Sequence, residues 1–181
     1  MKIALDVFGG DSAPEINIQG AIDYLNFLDD KAANIILVGN KKVIESYLTS
    51  YDYNKSKIDV LHTTEVITMN EKPSRIFREK PNSSMVKAIE LVKNQKADAI
   101  LSAGNTGALL TSSLFLIGKI PGVRRPAFAP FIPTKNGGFI LCDAGANAES
   151  KPNHLLQFSL MASAYIKHLN NVHQPKVGLL N

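Results

Sequence analysis

Short apolar runs of strand length alternate along the chain with longer segments whose apolar residues recur every three or four positions. The runs at 2–7, 34–38, 58–61, 97–101, 138–143 and 176–180 predict strands. Between them, 15–28 carries an apolar stripe at Ile18, Ala21, Ile22, Leu25 and Leu28, the spacing of one helix face. Further helices are predicted over 41–49, 85–94, 108–117 and 152–169. Pro14 suits the first helical position of the 15–28 helix, with Asp11 or Ser12 near its cap. Ser83 or Ser84 suits the cap of the 85–94 helix. Residues 66–69 form a short apolar piece, and the polar, basic stretch 72–84 has room for a single helical turn. Four prolines between 118 and 135 (Pro121, Pro126, Pro130 and Pro133) predict a long extended connection.

Strands that alternate with helices predict a parallel sheet covered on both faces, a doubly wound α/β/α sandwich of three layers. In such sheets ligands bind beyond the carboxyl ends of the strands. Three small-residue loops are expected there, at 9–12, 102–107 and 145–147. The central one, Ser102-Ala103-Gly104-Asn105-Thr106-Gly107, stands between a strand and an apolar helix. That unit presents backbone N–H groups to an anion, because the first N–H groups of a helix lack intrahelical partners and carry partial positive charge. Gly104 and Gly107 allow close backbone approach, and Ser102, Asn105 and Thr106 add side-chain donors. An ordinary capped turn has the same pattern. The chain reads as a single α/β domain over 1–181 that stops at the carboxyl end of an expected strand, as the amino-terminal part of a longer chain would.

Composition narrows the function class. Of 181 residues, 45% are hydrophobic and 20% charged, as in a globular protein. A net charge of +4 suits an anionic substrate but is too small to imply nucleic acid, and tryptophan is absent. The single cysteine, Cys142, excludes a disulfide framework, and it lies in an expected buried strand, where a thiol behaves as a small hydrophobe. This fits a reducing, cytoplasmic compartment. No apolar run approaches the ~20 residues that cross a bilayer.

A phosphate-binding loop of the GxxxxGK[ST] form, a GxGxxG fingerprint and a GxSxG elbow are all absent. His62, His154, His168 and His173 are scattered, so no metal site and no cofactor are expected; Asp6, Asp11 and Asp143 are the carboxylates at strand ends that suit a hydrated Mg²⁺. His154 opens a helix, as a packing residue or as a general acid. Arg75, Arg78 and Lys80 form a basic turn that is either solvated or suited to phosphate or an acidic protein face.

Several blocks resemble one family. ALDVFGGDSAP at 4–14 is similar to the DAMGGDxAP signature of the PlsX family, the bacterial acyl-acyl-carrier-protein:phosphate acyltransferases. Val7-Phe8 stands where that signature has Ala-Met. The blocks from Lys72-Pro73 to Arg78 and at Ser83-Ser84-Met85, SAGNTGAL at 102–109, Arg125-Pro126-Ala127, Pro133-Thr134, Asp143-Ala144-Gly145-Ala146-Asn147 and His154-Leu155-Leu156-Gln157-Phe158 also resemble it, so the likeness runs through nearly the whole chain. The resemblance implies an isopropylmalate dehydrogenase-like fold. It implies transfer of a long acyl chain from an acyl carrier protein thioester to inorganic phosphate, giving acyl phosphate for a membrane glycerol-3-phosphate acyltransferase in phospholipid synthesis. It also implies a cytoplasmic homodimer, peripheral at the membrane, and a longer polypeptide.

On that resemblance, Asn105, Asp11 and Asn147 are the expected catalytic residues. Gly9, Gly10, Ser83, Ser84, Ser102, Gly104, Thr106 and Gly107 are expected to bind phosphate or substrate, and Arg75, Arg78 and Lys80 the carrier protein. Two alternatives remain open here: a phosphotransacetylase-like enzyme acting on a small acyl-coenzyme A, and a carrier-protein-binding module without turnover.

Overall fold

The computed structural model describes residues 1–147, 149–170 and 172–180, and it divides into two compact units, Met1–Gly118 and Lys119–Asn181. The first unit runs β1 (Lys2–Asp6), α1 (Glu15–Leu28), β2 (Asn34–Gly39), α2 (Lys41–Leu48), β3 (Ile58–His62), α3 (Ile76–Glu79), α4 (Ser84–Lys93), β4 (Ala99–Ser102) and α5 (Thr106–Leu116). A one-turn 3-10 segment, Pro73–Arg75, leads into α3.

The four strands form one parallel sheet in the order β3-β2-β1-β4. Side chains alternate across it. Leu5, Val7, Ile35 and Leu37 pack on one face against Ile18, Ile22 and Leu25 of α1 and Ile44 and Leu48 of α2. Ala4, Ile36 and Val38 pack on the other with Ala88 of α4, and Met85, Val86 and Ile89 continue that layer to Ala108 of α5. Burial on both faces explains why β2 reads as an unbroken apolar run, Ile35 to Val38. Each fully buried side chain such as Ile18, Leu37 or Ile44 contributes about 1.5–3 kcal/mol. This is the expected mostly parallel, three-layer α/β/α arrangement.

The helix starts follow from their caps. Asn40, Ser83 and Asn105 each accept a backbone N–H from the first turn of α2, α4 and α5 respectively. At α1 the expectation needs correcting. Pro14 is itself the N-cap, and no side chain caps the helix, so neither Asp11 nor Ser12 does so.

The second unit runs β5 (Phe131–Thr134), β6 (Gly137–Ile140) and α6 (Pro152–Asn170). Here the sequence misleads three times. The 118–135 stretch is more than a connection, because Phe131–Thr134 pairs as β5. The predicted strand at 138–143 is β6 and ends at Ile140, so Cys142 lies beyond it, only half-buried. It pairs antiparallel with β5 across Lys135-Asn136, with Gly137 at φ 116° closing the turn. Pro133 is tolerated because this two-stranded pair consists entirely of edges. The predicted strand at 176–180 is not formed. An apolar run becomes a strand only against a neighbouring edge, and Val177, Leu179 and Leu180 stand exposed without one among the described residues.

Candidate functional site

The sheet reverses its winding between β1 and β4. The chain steps from β1 to β2 to β3 on one side, then crosses to lay β4 on the other side of β1. Diverging loops leave a crevice at such a point. The loops that leave β1 and β4 touch there. A Cβ built on Gly9 would lie 2.5 Å from Asp6 Oδ2, 2.9 Å from Gly104 N and 2.9 Å from Ser102 Oγ, so only glycine lets the two backbones meet. Gly10 holds φ 102° against Ala103. The structure therefore brings Gly9, Gly10, Ser102 and Gly104 together.

Asp6 ends β1 in this contact and is 1% exposed. Its Oδ2 accepts the Ser102 hydroxyl at 2.7 Å, and Ser102 Oγ accepts the Gly104 N–H at 3.1 Å. Its Oδ1 is buried without a partner among the described residues. Burial pushes the carboxyl above the ordinary aspartate range, against the opposing pull of Ser84, Ser102 and the Phe8 and Gly9 N–H groups. Asn17 of α1 holds the loop from the other side, donating to Val7 O at 2.9 Å and Gly9 O at 2.8 Å.

Beyond Ser102 the chain turns into α5. Asn105 is buried and its side chain is fully committed. Oδ1 accepts the Ala108 N–H at 3.0 Å, while Nδ2 donates to the carbonyls of Thr68, Met69 and Glu71 at 3.4, 3.1 and 3.0 Å. Asn105 thus joins the α5 N-terminus to the 68–71 loop. That loop is fixed again by Glu71, which accepts from the Thr68 N–H and forms an ion pair with Lys80 at 2.6 Å. Lys80 hydrogen-bonding, then the Thr68 N–H, draws the Glu71 carboxyl below its usual range. What α5 leaves for a ligand is the first-turn N–H of Thr106 and Gly107, unpaired among the described residues, and the Thr106 hydroxyl. Gly107 packs against Pro73, where a Cβ would lie 2.7 Å from Cγ.

The remaining expected residues of this unit fall into two groups. Ser83 and Ser84 are buried at the start of α4, Ser83 as its cap and Ser84 toward Asp6. Asp11 is exposed on the β1–α1 loop, and Arg75 and Arg78 are exposed around α3, with Arg78 5.3 Å from the centre of the Phe77 ring. Lys80 is only part-exposed and is held by Glu71 and the Val66 carbonyl.

In the second unit Asp143 organises the loop after β6. Its carboxylate accepts from the N–H groups of Phe128, Ala146 and Asn147 and from the Asn147 amide. Asn147 also donates to Pro126 O at 3.0 Å and accepts from Arg125 at 3.4 Å. His154 is buried in the first turn of α6, with Nδ1 accepting the Lys151 N–H at 3.2 Å. Burial first, then the charges of Arg125, Lys151 and Arg124, pushes its pKa down. Burial and the Asp143 charge push the Cys142 thiol up, away from thiolate chemistry.

Sequence reasoning named Asp6 only as a strand-end carboxylate suited to Mg²⁺, left it out of the expected catalytic and substrate-binding residues, and missed Asn17 altogether. The signal for Asp6 was present: a carboxylate closing an apolar strand just before Gly9-Gly10, where both faces of the sheet are covered. Among the described residues no helix is long and apolar enough to cross a membrane.

Comparison with known proteins supplies the rest. The chain is 47% identical over 181 residues to a phosphate acyltransferase of Clostridium kluyveri, 48% over 181 residues to one of Alkaliphilus oremlandii and 48% over 182 residues to one of Bacillus subtilis. Each match covers the whole chain but 53% of the relative, so the chain spans about half the length of the curated relatives it matches. A sequence model of the family described as fatty acid synthesis protein matches residues 1–181. The chain belongs to that family.

Proposed function

We propose that this chain carries the phosphate-binding half of an acyltransferase that moves a long acyl chain from an acyl carrier protein thioester to inorganic phosphate. The single observation that carries the reading is the row of unpaired N–H groups at the start of α5, at the point where the sheet reverses and next to the Gly9–Gly104 contact. The names of its relatives support phosphate as acceptor.

The chemistry asks little of side chains. Phosphate is largely dianionic at neutral pH and attacks a thioester without a strong base, and the thiolate leaves with little proton assistance. The protein's tasks are to hold phosphate in line and to stabilise the oxyanion of the tetrahedral intermediate, which forms as the P–O–C bond is made and collapses as the C–S bond breaks. The N–H groups of Thr106 and Gly107 and the Thr106 hydroxyl are the donors for phosphate. Asn105 acts by fixing the helix end that presents them. Asp6 orients Ser102, and Ser102 orients the Gly104 turn. Asp11, exposed beside the loop, is placed to meet the pantetheine arm. Arg75 and Arg78 meet the acidic carrier protein, and Lys80 serves them by holding the turn. Asn147 contributes through the loop it braces. On the same reading the protein works in the cytoplasm as a homodimer and passes acyl phosphate to a membrane glycerol-3-phosphate acyltransferase.

The test is the full-length protein with acyl carrier protein thioester, with and without phosphate, trapping acyl phosphate as a hydroxamate. Phosphate-dependent hydroxamate and thiol release are expected. Turnover with acetyl-coenzyme A but not with the carrier thioester transfers the assignment to a small-substrate enzyme, and carrier binding without thiol release removes catalysis.

A further inference from the structure

We propose that Ser102, held by Asp6, makes the anion site at the start of α5 selective for an oxyanion that carries a hydrogen, so that hydrogen phosphate is admitted and sulfate is excluded. The inference rests on the reading of that site as a phosphate site and names what the site accepts.

Three observations carry it. The first is the direction of one hydrogen bond. Ser102 Oγ and Asp6 Oδ2 lie 2.7 Å apart. An ionised carboxylate offers only lone pairs, so the hydrogen between them is the serine's, and Ser102 has no other to give. Its oxygen can accept two hydrogen bonds, and among the described residues only the Gly104 N–H takes one, at 3.1 Å. Sequence casts Ser102 as a donor; its bond to Asp6 turns it into an acceptor. A ligand that meets Ser102 must bring the hydrogen itself.

The second is position. Ser102 is half-buried at the end of β4, and Thr106, whose N–H and hydroxyl are donors for phosphate, follows four residues later. Between them stand only Ala103, Gly104 and Asn105, and the Asn105 amide is spent on the 68–71 loop. The loop thus offers N–H donors at one end and a lone acceptor at the other.

The third is charge. Asp6 is 1% exposed, its Oδ1 has no partner among the described residues, and no lysine or arginine among them pairs with it. A buried carboxylate without a counter-charge repels an anion bound beside it. A hydrogen on the ligand, given to Ser102, replaces that repulsion with a chain of hydrogen bonds from ligand to Ser102 to Asp6. Hydrogen phosphate carries such a hydrogen at neutral pH. Sulfate has the same shape and charge and carries none.

The experiment follows the backbone N–H groups of Gly104, Thr106 and Gly107 by NMR in the ¹⁵N-labelled full-length protein while four anions are titrated at neutral pH. Phosphate and arsenate carry a hydrogen; sulfate and fluorophosphate are dianions of similar size without one. Saturable shifts are expected with the first pair, at concentrations about tenfold or more below those the second pair needs, the difference one charge-assisted hydrogen bond makes. Ser102→Ala is expected to weaken the first pair about tenfold and to leave the second unchanged. Asp6→Asn removes the charge and is expected to strengthen the second pair. An equal loss for all four anions in Ser102→Ala makes the serine merely structural and overturns the inference. So does a parent protein that binds fluorophosphate as tightly as phosphate, or that binds none of the four. Hydroxamate formation, assayed separately, keeps the two readings apart. Phosphate-dependent hydroxamate without anion discrimination overturns the inference and leaves acyl transfer standing. Discrimination without hydroxamate supports the selectivity and removes acyl transfer.

Discussion

Asp6 ends a strand and Asp143 follows one, each in its own unit, and their surroundings are opposite. Asp143 accepts four hydrogen bonds. Burial raises its pKa, but the bonds from Asn147, Phe128 and Ala146 outweigh burial and draw it below the usual range. Asp6 accepts one side-chain hydroxyl, leaves Oδ1 without a partner among the described residues, and is pushed up by burial. The first carboxylate holds its loop together. The second also holds Ser102, but its burial as a charge lowers the stability of the strand end it occupies. Unpaired buried polarity of this kind concentrates at functional sites.

The largest effect that separates the two is expected from Asp143→Ala. It leaves three backbone N–H groups without an acceptor, a loss of about 3–4 kcal/mol for charge-assisted bonds that are not fully additive. Denaturant unfolding read on the second unit checks it, and a loss under about 1 kcal/mol ends the structural reading of Asp143. Because the folded pKa is lowered, this stabilisation is present in full above the unfolded value of 3.8 and disappears as pH falls through the folded one.

Next in size is Asn105. Asn105→Ala removes the α5 cap, about 1 kcal/mol, and leaves three carbonyls of the 68–71 loop without their donor. Asn105→Asp keeps the cap but sets a carboxylate against those carbonyls, so it is expected to cost at least as much, about 2–3 kcal/mol. Thermal unfolding of both variants decides it. If the aspartate variant is as stable as the parent, the amide does not bind the loop to the helix.

These residues mark what the sequence makes legible. The unbroken apolar run of β2 is strong because both its faces are covered, the period-3.6 stripe of α1 because one face packs on that sheet, and β2, α1 and the α5 turn follow from local sequence. SAGNTG is readable as a site because glycines and capping residues act within a few positions of themselves. Commitments made at long range leave no such mark. The three carbonyls that occupy Asn105 come from residues 34–37 positions earlier, and Ser102 meets Asp6 across 96. In the second unit the pattern fails because strand pairing is a property of the partner. Pro133 hid β5, and 176–180 has strand composition without an edge to join.

Asp6→Asn tests the comparison from the functional side. An unpaired buried amide costs less than a buried charge, so the variant is expected to be as stable as the parent or about 1 kcal/mol more so at pH 8. The raised folded pKa means the folded protein holds the proton more tightly, so the parent gains stability as pH falls and the gap closes near the unfolded value of 3.8. Phosphate-dependent turnover is expected to fall about tenfold to a hundredfold, because Ser102 loses its ionised acceptor. A variant both less stable at pH 8 and fully active leaves Asp6 an ordinary structural residue.

The smallest effect belongs to Lys80→Met, which probes whether the basic turn works through its charge or its geometry. The Lys80–Glu71 pair is about 30% and 27% exposed, and pairs this open to solvent contribute at most about 1 kcal/mol. Glu71 has its pKa lowered, so the contribution holds above the unfolded value of 4.5 and fades as pH drops below it. A loss of 0.5–1 kcal/mol at pH 7 that shrinks at pH 4 is expected in thermal unfolding. Carrier-protein affinity separates the roles. Arg78→Gln removes an exposed charge without touching the 68–71 loop and is expected to weaken binding at low salt more than Lys80→Met does. Equal losses at low salt, vanishing together at high salt, make Lys80 a contact residue like its neighbours and overturn its assignment as the pin of the turn.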